Sequence, residues 1–286
     1  MADYGENAQQ GKFWNKAPGQ SWVDNDTAMN ERLSLISDIL ISGLSLDNIT
    51  AAMDIGCGAG DSTRQLASQL PNTAEVTGFD ISDALLARAQ ALNSTANPSA
   101  APISYRQADI QAYPFPPQKY DLAISRFGVM FFDNPIKAFS NIKSGLGHGA
   151  KLDFVCWAAL EENEFFSHPA EIANRLTGST PTLPGRDPGP MAFSDKDYLH
   201  QILVDAGFAH PQIDTVKTFV QTADSAEDNA DLLMTIGKAA SILREAEADE
   251  AIRAEVREAL RTGGLERTRD GLISYDATIY RVSVTA

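Results

Sequence analysis

Short apolar runs alternate with amphipathic stretches along most of the chain, and this rhythm predicts an α/β fold. Ala51 to Ile55 is apolar and stops at glycines, as a buried strand does. Glu75–Phe79, Ile103–Ala108, Tyr120–Ser125 and Lys151–Trp157 repeat that signal at intervals that leave room for helices. The intervening stretches have helical spacing: Glu31–Ser42, Asp61–Leu70, Asp83–Leu92 with Ser82 as cap, and a helix opened by Asn134-Pro135 that runs through Leu146 to a stop at Gly147 and Gly149. Farther on, a helix is expected over Asn163–Leu176 and another, capped by Ser194, ends at Ala206-Gly207-Phe208. Strands follow at Pro211–Val220 and Gly271–Thr285, with charged helices between them over Ala230–Glu247 and Asp249–Arg261. The expected architecture is a Rossmann-like, seven-stranded, mostly parallel sheet with helices on both faces and an antiparallel last strand. One domain is expected over 1–286, with an N-terminal arm (1–30), a substrate lid (about 158–195) and a helical excursion (about 228–265).

The segments outside this rhythm matter next. Met1 to Lys12 is polar and reads as a disordered lead, followed by Phe13-Trp14-Asn15 and Trp22-Val23, aromatic enough to dock on something. Gly178 to Pro190 carries Pro181, Pro184, Gly185, Pro188, Gly189 and Pro190, the composition of a loop that can cover a site.

Composition narrows the partners. A net charge of −15, with no run of Lys and Arg, opposes phosphate backbones and anionic lipid surfaces, so neither nucleic acid nor membrane is expected. No apolar run reaches membrane-helix length. The two cysteines, Cys57 and Cys156, are too few for a disulfide framework, lie far apart and read as reduced thiols of a cytoplasmic protein. No Cys/His spacing suits a metal. A homodimer is compatible with the sequence.

The candidate chemistry gathers at the strand ends, where such sheets bind ligands. Asp54-Ile55-Gly56-Cys57-Gly58-Ala59-Gly60 ends the first strand, and its glycines allow a tight turn and close backbone approach. Asp80 ends the second strand, placed to accept hydrogen bonds from both hydroxyls of a ribose. Asp109 and the backbone at Ile110 end the third, placed to read an adenine edge between Ile81 and Ile110. Ser125-Arg126-Phe127 ends the fourth, where carbonyls can receive an ammonium. The G-x-G-x-G spacing differs from the G-x-G-x-x-G of dinucleotide sites, and Asp61 stands where a diphosphate would bind.

With these motifs the chain resembles the class I methyltransferases that use S-adenosylmethionine: Asp54–Gly60, Gly78-Phe79-Asp80 and Ala108-Asp109-Ile110 look like their first three motifs. Tyr120 to Phe132 resembles the fourth-strand segment of the branch that includes ubiquinone and menaquinone methyltransferases. The resemblance covers about residues 13–285 and implies that Asp80 holds the ribose, Asp109 the adenine amine, and Gly56 and Ser125 the methionine ammonium. It also implies that Trp22 lies over the methionine end. The expected cofactor set is therefore Trp22, Asp54, Gly56, Gly58, Asp80, Ile81, Asp109, Ile110, Ser125, Arg126 and Phe127.

Methyl transfer from a sulfonium chiefly needs alignment and exclusion of water, with a base only if the acceptor must lose a proton. His168, on the helix entering the lid, is the candidate base. Arg126 is a candidate anchor for an acidic substrate, against an ion pair with a carboxylate such as Asp133. The expected activity is methyl transfer to carbon or oxygen of a small molecule. The alternatives are a nicotinamide-dependent oxidoreductase, for which neither the glycine spacing nor a Tyr/Lys or His relay is found, and a non-methylating member of the same fold.

Overall fold

The computed structural model describes residues 7–93, 100–182 and 185–286. An arm of short helices comes first: α1 (Ala8–Trp14), α2 (Ala17–Asp24), α3 (Asp26–Arg32) and α4 (Ser34–Ser42). The Rossmann-like portion then runs β1 (Ala51–Ile55), α5 (Asp61–Gln69), β2 (Glu75–Asp80), α6 (Asp83–Asn93), β3 (Ile103–Gln107), β4 (Tyr120–Arg126), α7 (Pro135–Gly145) and β5 (Leu146–Trp157). Beyond it lie α8 (Glu164–Thr177), α9 (Lys196–Asp205), β6 (Ala209–Thr222), α10 (Ala226–Thr235), α11 (Lys238–Glu245), α12 (Glu250–Glu266), β7 (Thr268–Arg269) and β8 (Leu272–Thr285).

The strands form one sheet in the order β3-β2-β1-β4-β5-β8-β6. Pairings from β3 through β5 are parallel, and β8 runs antiparallel to both β5 and β6. The sheet has an eighth strand beyond the seven expected, the two-residue β7, which pairs with the start of β8.

Alternation explains why the central strands are apolar throughout. Ala52, Leu122 and Ile124 face a small core with Leu66 and Ala67 of α5 and Leu70 just beyond it, while Met53, Ile55 and Ala123 face the main core. A central parallel strand buries both faces, so each of its positions must be apolar or have a polar partner. All five positions of β1 are buried, Asp54 included.

Several local expectations are corrected. The lead is not wholly disordered, because α1 begins at Ala8; residues 1–6 lie outside the described residues. The helix expected from Glu31 is broken at Leu33, which terminates α3 and precedes α4. Gly147 and Gly149 lie inside β5, where the register shifts, and α7 ends at Gly145. Asp195, not Ser194, caps α9, accepting from the N–H groups of Asp197 and Tyr198. The stretch Ala230–Glu247 divides into α10 and α11 at Gly237, which has φ +89°. The Gly/Pro-rich segment, whose Pro184 lies outside the described residues, is tied down beyond Gly185. Gly189 donates to the Met130 carbonyl, Met191, Ala192 and Phe193 are buried, and Tyr280 Oη donates to the Ser194 carbonyl. Among the described residues no helix is long and apolar enough to cross a membrane, and no group of acidic, His or Cys side chains could hold a metal ion.

Candidate functional site

The end of β1 turns over Gly56, Gly58 and Gly60, which have φ of +66°, +55° and +79°. The Gly56 and Cys57 N–H groups donate to the Phe79 carbonyl at 2.8 and 3.0 Å, pinning the turn to β2. Gly58 N–H donates to Asp80 Oδ2 at 2.8 Å. A Cβ on Gly58 would meet nothing within 4 Å, so this backbone borders open space. A Cβ on Gly56 would stand 2.6 Å from the Cα of Gly128, because the loops after β1 and β4 touch backbone to backbone there.

Asp54 anchors the loop from beneath. Its Oδ2 accepts from Ser62 Oγ and Thr63 Oγ1, both at 2.7 Å, which ties β1 to α5. Its Oδ1 is buried without a partner. Burial raises its pKa to about 6, against the smaller opposing effect of the two hydroxyls. The native protein therefore protonates Asp54 before the unfolded chain does, and the stability it contributes falls as pH rises from about 4 through about 6. Relative to Asp54→Asn, the wild type is expected to lose about 1.4 kcal/mol of stability between pH 5 and pH 7.5. Urea unfolding of both proteins at the two pH values checks this; a constant difference between them would contradict it.

Asp80 sits with Oδ2 on Gly58 N–H and Oδ1 on Ser82 N–H at 2.8 Å, and burial raises its pKa. Each carboxylate oxygen keeps a further lone pair for a ligand hydroxyl. Asp109 Oδ1 accepts from Gln111 N–H at 3.0 Å and from Asn7 Nδ2 at 3.1 Å. Ile110 is buried and its carbonyl accepts from Asn141 Nδ2; the Ile81 carbonyl accepts from Asn15 Nδ2 and Gln107 Nε2. Ser125 Oγ donates to the Ile55 carbonyl at 2.7 Å and accepts from Gly128 N–H, so its hydroxyl locks the two loops together. Phe127 adopts φ +66° and stacks on Trp157 with ring centroids 4.2 Å apart. Trp22 packs edge-on to Trp14, and Trp14 edge-on to Phe131.

The loops at the ends of β1, β2, β3 and β4 thus come together with the N-terminal arm laid across them. The two residues expected to do chemistry stand differently. Arg126 is nearly buried, and its donors are committed: Nη1 to Ser37 Oγ and Asp61 Oδ2, Nη2 to Asn30 Oδ1. Its ion-pair partner is Asp61, not Asp133, and it joins β4 to α3, α4 and α5 rather than reaching for a substrate. His168 lies on α8 against Gly263 of α12, with Nε2 3.4 Å from Arg267 Nη1. Phe166, two residues earlier, is the side of α8 that meets Trp157; residues two apart on a helix point nearly oppositely. His168 accordingly faces a wide groove between α8 and α12, lined by Ile172, Arg175, Glu255 and Glu258. Burial, then Arg267, lowers its pKa. In both cases the partners lie on other elements, beyond the reach of local pattern.

Sequence reading gave Asn7, Ser62 and Thr63 no role, and took Asn15 only as part of the arm and Ser82 only as a helix cap. Only the hydroxyl pair, eight and nine residues after Asp54 and at the start of a helix, carried a local signal.

Comparison with known proteins adds the following. Residues 52–149 match the family described as methyltransferase domain. The chain is 29% identical over 169 residues to trans-aconitate 2-methyltransferase of Escherichia coli, covering 59% of this chain and 60% of that protein. It is 30% identical over 130 residues to a malonyl-[acyl-carrier protein] O-methyltransferase of Enterobacter lignolyticus, covering 46% and 48%. The chain spans less than two thirds of the length of these curated relatives. Its fold resembles that of phosphoethanolamine N-methyltransferase 2 of Haemonchus contortus, solved with S-adenosyl-L-methionine, at TM-score 0.55 and 14% identity, over 100% of this chain and 60% of the other.

Proposed function

We propose that this chain is a class I S-adenosylmethionine-dependent methyltransferase and that it transfers a methyl group to an oxygen or carbon of a small-molecule acid. The observation that carries the reading is the latch between Gly58 N–H and Asp80 Oδ2, which sets a bare glycine backbone beside a ribose-competent carboxylate. The residues fit the cofactor. The buried, unpartnered Asp54 Oδ1 suits the electropositive methionine end, and Gly58 leaves room that a side chain would fill. Bound there, the cofactor supplies an activated methyl on a sulfonium centre. The resemblance to the ubiquinone and menaquinone branch goes no further than the motif.

The chain's own part is to hold and to shield. Asp80 would accept from the ribose hydroxyls, Asp109 from the adenine amine, and the loop carbonyls from the ammonium. Phe127, Trp157 and Phe131 would keep water from the reacting atoms. Both relatives above are named for acceptors that carry a carboxylate, which favours oxygen. A carboxylate acceptor has no proton to lose at neutral pH, so alignment suffices without a base. His168→Gln is therefore expected to leave the transfer rate within about twofold of wild type, where a general base would contribute roughly a hundredfold or more.

Calorimetry with S-adenosylmethionine and S-adenosylhomocysteine tests the reading, followed by mass spectrometry of products from labelled cofactor offered a panel of small acids. No binding of either ligand would overturn it. Asp80→Ala is expected to weaken S-adenosylhomocysteine by about 1–3 kcal/mol, since the ribose loses a charged acceptor and the glycine loop loses its latch. Unchanged affinity in the same titration would contradict the ribose assignment.

A further inference from the structure

The arm does more than pack. α1 and its N-cap residue present Asn7, Gln10, Gly11 and Trp14 on one face, at positions i, i+3, i+4 and i+7. Trp14 accepts Ser82 Oγ on its carbonyl at 2.9 Å and sets its ring 5.1 Å from Phe131. Asn15 donates from Nδ2 to the Ile81 carbonyl and accepts Asp83 N–H on Oδ1, both at 2.9 Å. At the other end of the helix, Asn7 Nδ2 donates to Asp109 Oδ1. The arm therefore bridges the two loops that follow β2 and β3, the pair assigned above to ribose and adenine.

Two acceptors on this face stand out. Asn7 is 4% exposed, and its Oδ1 has no hydrogen-bond partner; Gln10 Oε1 is also buried without one. Leaving a buried amide oxygen unpaired is costly, and two on one short helical face over one pair of loops call for a donor. The adenine amine carries two hydrogens, and a carboxylate oxygen of Asp109 takes one. Resting on the cofactor reading above, we infer that the arm is part of the adenosine site, with Asn7 Oδ1 receiving the second amine hydrogen and Gln10 Oε1 a ribose or amine hydrogen. Asn7 then reads the base, and the arm closes over the bound nucleoside.

Calorimetry of wild type and Asn7→Leu with S-adenosylhomocysteine and S-inosylhomocysteine tests this. The inosine form replaces the amine by an oxygen that faces two acceptors, and a site built to receive a hydrogen rejects it strongly. Wild type is expected to prefer the adenosine form by a hundredfold or more. Asn7→Leu is expected to bind S-adenosylhomocysteine at least tenfold more weakly and to lose about tenfold of that preference. Hydrogen exchange on unmodified protein is expected to slow across residues 8–14 when S-adenosylhomocysteine binds. Equal weakening toward both ligands, unchanged affinity or unchanged exchange would overturn the inference while leaving the cofactor reading in place. Failure of wild type to bind S-adenosylhomocysteine would overturn both.

Discussion

Replacing Arg126 by methionine is expected to lower the unfolding free energy by about 3 kcal/mol, the low end of what breaking a buried ion pair costs. Methionine keeps length and apolar contact but removes every donor. Asp61 Oδ2, Ser37 Oγ and Asn30 Oδ1 then lose a partner together, on three different helices. The cost sits at the low end because the Asp61 side chain is 22% exposed and can recover some water. Burial already lowers the Arg126 pKa against the pull of Asp61, so the charge stands there only because it is paired. Denaturant unfolding of Arg126→Met, Asp61→Asn and the double variant checks the claim. The double variant is expected to cost less than the two single changes added together, since either one strands the other's charge. Strict additivity would show that the pair is incidental.

Gly128→Ala is expected to cost at least about 3 kcal/mol and to abolish measurable S-adenosylhomocysteine binding, beyond ordinary overpacking. The new Cβ would stand 2.4 Å from the Ile55 carbonyl oxygen and 2.7 Å from the Gly56 Cα. Both neighbours are backbone, held by Ser125 Oγ and by the Phe79 carbonyl, so neither can yield without parting the two loops. Gly58→Ala makes the contrast. It meets nothing within 4 Å and carries only the strain of a left-handed φ, about 1–2 kcal/mol. Its folding should survive while its ligand affinity drops, because the methyl projects into the space beside the latch. Thermal melts and calorimetry of both variants separate the two cases; a stable Gly128→Ala protein that binds ligand would refute the close approach.

The sheet was legible because a central parallel strand must hide both faces, and Ala51 to Ile55 has no position to spare. The candidate cofactor loops were legible because their glycines and carboxylates fall at strand ends in chain order. What escaped was carried by side chains whose partners are remote in sequence. Arg126 reaches Asn30 across 96 residues, and Asn7 reaches Asp109 across 102. No periodicity encodes such pairs. Met191-Ala192-Phe193 is an intermediate case: three apolar residues follow the run of glycine and proline, and all three are buried.

The placement of aromatic residues around the site has a practical consequence. The chain has three tryptophans, Trp14, Trp22 and Trp157. Trp14 and Trp22 sit on the arm, with Trp14 against Phe131, and Trp157 stacks on Phe127 at the end of β5. Every indole in the molecule therefore borders the same small region, with none elsewhere to add a constant background. Intrinsic emission is in effect a site-specific optical probe, and stopped-flow fluorescence can follow the proposed arm closure on unlabelled protein.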